Sequence, residues 1–324
     1  MQKGTASLRA DIMDVLRETN RNETEFIGLN VAPLFNVERE SGTFSKIDAD
    51  NLIAKVGGGK VAKGSKYQRD QREVTTDTYA TVKYGGEEPI PIEDSAELDN
   101  YFDVEADTAA ALWAAGRLQL EVDLAAALFD DTTNFASYKT DGSDWSTAAS
   151  GTPIDDIRAA VTSLRTQVRG LTGGAKIIGV VNAATLDNAA GTAQVRAALD
   201  YAGNGFNDRD AFKAALARAT GLSGIYDSTL LNSAGTAVWT ANKFGIYLVG
   251  EGSDLRSRPQ CARVFNWTRP MDYNSETEIA DGDGLVVQSY YEEDSESDII
   301  RVKRYQQVKL LNARAGHVIY GLNA

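Results

Sequence analysis

Residues 55–72 carry six cations, Lys55, Lys60, Lys63, Lys66, Arg69 and Arg72, against one acid, Asp70. Residues 87–131 carry thirteen carboxylates against one cation, Arg117. The two tracts hold formal charges of +5 and −12, and each repels itself, so a self-contained fold is poorly served by keeping them apart. The separation makes sense when the basic tract of one copy lies on the acidic tract of another. The candidate contact residues are the six cations on one side and Glu97, Asp99, Asp103, Glu105 and Asp107 on the other. This pattern points to a self-assembling structural chain rather than to an enzyme.

The basic tract lies within residues 43–86, which read as a long two-stranded hairpin with a glycine-rich middle, Gly57-Gly58-Gly59. Thr76, Thr78, Ala80, Val82 and Tyr84 alternate with polar neighbours, a strand period. An isolated hairpin is marginal in water, so something outside it, most simply another subunit, is expected to support it. Pro89 and Pro91 end the second strand, and Asp94 with Glu97 forms a capping-box-like pair. Leu98, Phe102, Ala109, Trp113, Gly116, Leu120, Leu124 and Ala127 follow at helical spacing, interrupted by Glu105. This predicts a helix over 95–128, about 50 Å long at 1.5 Å per residue, acting as a strut.

Leu8, Ile12, Val15 and Leu16 suit a short amphipathic helix over 5–19. Thr152 and Pro153 start a helix with an apolar stripe of Ile154, Ile157, Val161, Leu164 and Val168, ended by Gly170. A buried strand over 177–181, helices near 183–201 and 208–219, and a hairpin of 238–239 with 244–249 complete a compact α/β lobe over 150–255. Strands over 262–267, 285–292, 299–311 and 318–322 are expected to pair beside the long helix. A chain of 324 residues exceeds the usual single core, so two lobes and an α+β class are expected.

A net charge of −13 argues against a general grip on nucleic acid, although an acidic wall can face DNA without adhering to it. Cys261 is the only cysteine, which leaves no intrachain disulfide and a reducing compartment as the default. Charged residues interrupt the N-terminal apolar positions, so no secretory signal is read, and no apolar run approaches the roughly 20 residues a membrane helix needs. Gly59-Lys60-Val61-Ala62-Lys63-Gly64-Ser65-Lys66 fails as a phosphate-binding loop because it ends Gly-Ser-Lys instead of Gly-Lys-Ser. Gly173-Gly174 precedes an apolar run instead of following one, so the dinucleotide arrangement fails too. His317 is the sole histidine and reads as a structural strand residue. Asp281-Gly282-Asp283-Gly284 lacks the later bidentate glutamate of a calcium loop and reads as a turn. No catalytic residue, cofactor or metal site is assigned.

An N-terminal arm, a long hairpin, a long helix, an α/β lobe and a strand-rich return follow one another in this order. Phe26-Ile27-Gly28-Leu29-Asn30-Val31-Ala32-Pro33-Leu34-Phe35 with Ser41-Gly42-Thr43-Phe44 looks like the lead-in to the hairpin. The order resembles the major capsid protein of tailed double-stranded DNA phages, the HK97-like fold. The resemblance implies an N-terminal arm (1–42), an extended loop (43–86), a peripheral domain with a spine helix (87–149), an axial α/β domain (150–255) and a strand-rich return to the peripheral domain (256–324). It implies a homo-oligomer of hexamers and pentamers closing an icosahedral shell around phage DNA without sequence-specific binding, in a virion assembled in the host cytoplasm. A portal is implied, and a separate scaffolding protein, because the arm leaves no room for a fused one. The alternatives are an encapsulin-like bacterial nanocompartment shell, a tail or adaptor protein that forms rings or tubes, and a soluble enzyme using carboxylates with a divalent metal.

Overall fold

The computed structural model describes residues 7–9, 12–13, 25–46, 60–67, 75–98, 103–170, 172, 175–201, 209–250, 255, 259–268 and 285–323. The chain opens on β1 (Ser7–Leu8), a one-turn helix α1 (Gly28–Val31), β2 (Leu34–Val37) and β3 (Ser41–Lys46). Next come β4 (Thr75–Ala80), β5 (Val82–Pro91), α2 (Ile92–Leu98) and the long α3 (Val104–Leu128). Then follow β6 (Lys139–Asp141), α4 (Pro153–Gln167), β7 (Lys176–Asn182), α5 (Ala183–Gly191), α6 (Ala193–Tyr201) and α7 (Arg209–Thr220). The chain closes through β8 (Gly224–Ser228), β9 (Phe244–Val249), β10 (Ala262–Trp267), β11 (Leu285–Glu292), β12 (Ser297–Leu310) and β13 (Gly316–Tyr320). Among the described residues no helix is long and apolar enough to cross a membrane.

β12 is long enough to serve several partners. β11 pairs antiparallel with its first half, β10 with its second half, and β5 along 297–306. Gln306 pairs with both Asn266 and Val82, so β10 and β5 lie on opposite edges of β12. β1 adds to β11 and β2 to β10, completing a six-stranded sheet. The second sheet runs β6-β13-β9-β7-β8, and β3 pairs with β4 alone.

α3 runs about 37 Å at the helical rise and joins two cores. Val104, Ala109 and Trp113 pack with Ile12, Met13, Val286, Val287, Ile300 and Val302 against the six-stranded sheet. Leu120, Leu124 and Leu128 belong to the core of the α/β lobe with Ile157, Val180, Phe244 and Val318. Tyr247 donates to the Leu128 carbonyl at 2.5 Å and Lys243 to the Phe129 carbonyl at 2.9 Å, satisfying the acceptors at the helix end.

The junction between the lobes centres on Glu121, which is 2% exposed. Its Oε1 accepts the backbone N–H groups of Ile27 at 3.0 Å and Gly28 at 2.9 Å, and the Trp239 indole N–H at 2.8 Å. One carboxylate thus ties the N-terminal segment, the long helix and the lobe together. Burial pushes its pKa up, against the pull of these donors and Arg117. Arg117, one turn earlier, lies over the Phe26 ring at 4.6 Å. A Cβ on Gly28 would meet Leu124 Cδ1 at 2.6 Å and Glu121 Oε2 at 2.7 Å, so the close approach requires glycine.

Several expectations from sequence need correction. The long helix begins at Val104, not near 95, because Asp103 caps it by accepting from the Ala106 N–H at 3.0 Å. Asp94 therefore lies in the first turn of the separate α2 instead of capping the long helix. The new start buries Val104 and frees Glu105 to pair with Arg9. Leu8 lies in a strand, while Ile12 and Met13 are helical; the rest of 5–19, apart from Ser7 and Arg9, lies outside the described residues. Val82 and Tyr84 leave the hairpin at Thr81, whose N–H donates to the Glu40 carbonyl at 2.9 Å, and join β12. Residues 238–239 form no strand beside β9, since the Trp239 carbonyl accepts from Asn182 Nδ2 and its indole is engaged by Glu121. The last strand, expected in the return over 256–324, inserts between β9 and β6 in the second sheet. That sheet therefore draws on residues on both sides of 150–255.

His317 lies buried in that strand, with Nε2 2.8 Å from Thr140 Oγ1 and Nδ1 3.1 Å from Gln167 Nε2. Burial holds its pKa down at about 4, against an ordinary 6.5. The unfolded chain therefore takes up a proton that the folded chain refuses between these values, so stability is full above pH 6.5 and falls as the pH drops toward 4. Urea titrations should show a loss on the order of 2–3 kcal/mol across this window. His317→Gln should flatten the curve relative to the parent, and equal slopes in both proteins would refute this role. At the junction, Gly28→Ala should cost about 1–3 kcal/mol by overpacking. Glu121→Ala should cost more, about 3–5 kcal/mol, because it leaves buried donors unpaired, and Glu121→Gln should lose less than Glu121→Ala.

Candidate assembly surfaces

The hairpin is anchored at its root within its own chain. Tyr79 stacks on the buried Phe265 ring at 4.9 Å with an interplanar angle of 12°, and Phe44 and Phe35 flank the same ring at 4.9 and 5.3 Å. Asp77 bridges Lys46 at 2.8 Å and Lys309 at 3.0 Å. Burial raises its pKa, but these donors and the Thr78 N–H outweigh it and hold the carboxyl at about 2. The Ala80 N–H donates to Gln307 Oε1 at 2.9 Å. The expectation that another subunit must support the whole hairpin is therefore corrected for its base: aromatic packing and ionic contacts with β10 and β12 do so.

Among the described residues nothing comparable supports residues 60–67. All eight are exposed, including Lys60, Lys63 and Lys66, and Tyr67 is 82% exposed. A turn closes through the Ser65 N–H on the Ala62 carbonyl at 2.9 Å, with Gly64 at a φ of +86° that disfavours side chains. Lys55, Arg69 and Arg72 lie outside the described residues, as do Asp99 and Asp281-Gly282-Asp283-Gly284.

The acidic tract divides by task. Asp103 caps α3 and Glu105 pairs with Arg9. Glu87 accepts from Arg301 at 2.5 Å and from the Tyr290 hydroxyl at 3.0 Å. Asp130 accepts from the Thr132 hydroxyl and three backbone N–H groups of the following turn, and these bonds hold its pKa at about 2. Asp131 pairs with Lys243 at 2.7 Å and Lys139 at 3.7 Å. Glu88, Glu93, Asp94, Glu97 and Asp107 stand exposed. The outward acidic surface thus falls largely on the end of β5 and on α2; of the candidate contact acids, Glu97, Asp103 and Asp107 are exposed and Glu105 is half-buried. The capping role of Asp103 was readable as an N-cap residue; the partners of Asp77, Glu105 and Glu121 come from more than 30 residues away and left no local sign.

No protein-family model matches the chain, and no curated protein sequence matches it. In structure it is similar to a phage-related protein from Bordetella bronchiseptica RB50, with a TM-score of 0.67, 16% identity and 99% of each chain covered. It is similar to the subunit of the bacteriophage PhiM1 mature capsid, with a TM-score of 0.54 and 14% identity, over 91% of this chain and 86% of that one. It is also similar to the SrpI encapsulin from Synechococcus elongatus PCC 7942, with a TM-score of 0.51 and 11% identity, over 94% and 89%. The described residues therefore compose a mixed α+β fold similar to that of phage capsid and encapsulin subunits.

Proposed function

We propose that this chain is the major capsid protein of a tailed double-stranded DNA phage with an HK97-like fold. Copies pack through hexamers and pentamers into an icosahedral shell around the genome, aided by a separate scaffolding protein and a portal. The observation that carries this reading is the hairpin: a root fixed by Asp77 and Phe265, and an exposed basic turn at 60–67. Such a turn reaches beyond its own body and is completed by a sister subunit. In the proposed division, residues 1–42 form the arm, 43–86 the extended loop, 87–149 the peripheral domain, 150–255 the axial domain and 256–324 the return, with the last strand crossing into the axial sheet. The likeness to the SrpI encapsulin supports a second reading, a nanocompartment shell that encloses proteins instead of a genome. Electron microscopy of purified particles with a nucleic-acid assay separates the two.

The basic turn, with Lys55, Arg69 and Arg72 near it in sequence, meets the exposed carboxylates of a neighbour, Glu97 and Asp107 among them. Each exposed pair contributes only about 0–1 kcal/mol, so the effect is on register and partner choice more than on raw affinity. Replacing Lys60, Lys63 and Lys66 together by glutamate should abolish closed shells while circular dichroism and thermal unfolding of the subunit stay unchanged; normal shells from this variant would refute the charge clasp. Assembly yield should also fall as salt rises from about 0.05 to about 0.5 M, because the screening length shrinks to a few ångströms. A yield independent of salt in light-scattering assays would point to apolar contacts alone.

A further inference from the structure

β5 closes one side of the six-stranded sheet and is ten residues long. Its inner side pairs with β12 along 82–91. Among the described residues no backbone bond reaches its outer side, and residues 82–89 are all exposed. The other strands that end the two larger sheets are blunted by shortness: β1 has two residues, β2 four, β6 three and β8 five. A long open edge carries a row of unpaired N–H and C=O groups, the template on which a further strand adds.

The residues along this edge decide which strand fits it. Pro89 and Pro91 lack the N–H that a ladder needs, and at Thr81 the chain turns away, its N–H bonded to the Glu40 carbonyl. The stretch free to pair is therefore Val82–Glu88, seven residues with Gly85 at the centre. A second copy of this stretch, laid antiparallel about a two-fold axis at Gly85, sets Lys83 opposite Glu87, Val82 opposite Glu88 and Tyr84 opposite Gly86. Each opposed pair shares a face of the sheet, as the strand period requires. The Lys83–Glu87 pair of opposite charges occurs twice. Sliding the register by two positions sets Lys83 opposite Gly85 or Pro89, which loses both ion pairs or brings proline into the ladder. Lys83 makes no salt bridge in its own chain among the described residues, whereas Glu87 is held in place by Arg301 and Tyr290. Gly85 and Gly86 leave the axis without side chains, and α3 faces them with the small residues Ala115 and Gly116.

We propose that the free edge of β5 pairs antiparallel with the same edge of a second copy about a two-fold axis at Gly85, joining the two six-stranded sheets into one. The contact is isologous, with the same seven residues on both sides. It is separate from the contact made by the basic turn, and it does not depend on the capsid reading. A ladder of this length is a small interface, so it is weak between free subunits and gains where copies are already held side by side.

Disulfide trapping of the full-length protein tests the pairing and its register. Val82→Cys and Glu88→Cys in one chain place the two thiols about 20 Å apart along the strand, too far to bridge each other. The native Cys261 is buried and stays out of the reaction. Mild oxidation of the double variant should give a covalent dimer on a non-reducing gel. A mixture of the two single variants should give the same dimer, and neither single variant alone should. Adding Lys83→Glu to the double variant should cut the dimer yield by about fivefold, because it sets like charges opposite each other twice. Val82, Lys83 and Glu88 are all exposed, so the thermal unfolding of the reduced variants should stay with that of the parent. Absence of dimer from the double variant would overturn the pairing. So would dimer from one single variant alone, which reports another register, or a yield indifferent to Lys83→Glu. Protection of the 82–88 amides from hydrogen exchange without trapping would give the edge to a different occupant and overturn it as well. Trapping is read on free subunits and on particles alike, so a chain that forms no shell leaves the test intact.

Discussion

The buried carboxylate of Glu121 is the constraint on which the arrangement of the two lobes depends. A glutamate removed from water is costly unless its oxygens are fully engaged. Here the donors come from three places: the backbone at Ile27 and Gly28, the indole of Trp239, and, electrostatically, Arg117 on the same helix. None of these segments can shift without exposing a donor or a charge. The long helix is therefore held in one orientation at the point where its packing changes from the six-stranded sheet to the α/β lobe.

The charge separation that dominates the first third of the sequence is resolved in two ways. Much of the acidic tract works inside the chain: Asp103 caps a helix, Asp130 closes a turn, and Glu87, Glu105 and Asp131 hold cations distant in sequence, Arg301, Arg9 and Lys243. The described part of the basic tract, by contrast, is exposed at Lys60, Lys63 and Lys66. The imbalance left on the surface is thus smaller on the acidic side than the sequence suggests, and it is concentrated around α2.

Two hinges of meaning lie close together along β12. On one side the root of the hairpin is pinned by Lys309 and Gln307; a few residues earlier the buried Arg304 contacts Gln306, Asp123 and the Tyr84 ring. Both places bring polar groups of β12 against the segment that leads into or out of the hairpin.

The sequence by itself determined much of the secondary structure. Short strand-prone runs located β10 and β11, and β12 nearly so, although β10 is buried almost throughout and does not alternate. The Thr152-Pro153 start and the Gly170 stop bounded α4, since helix ends need caps and a left-handed residue within a few positions. Tertiary structure alone decided which strand pairs with which. The alternation from Thr76 to Tyr84 runs unbroken through Thr81, yet its two halves serve different sheets, because periodicity reports a buried face and not the partner on the edge. It also decided the fate of single polar residues. Glu105 and Glu121 look like two more acids in an acidic helix, and only the fold supplies Arg9 to one and the donors of Ile27, Gly28 and Trp239 to the other, from segments about a hundred residues away in sequence.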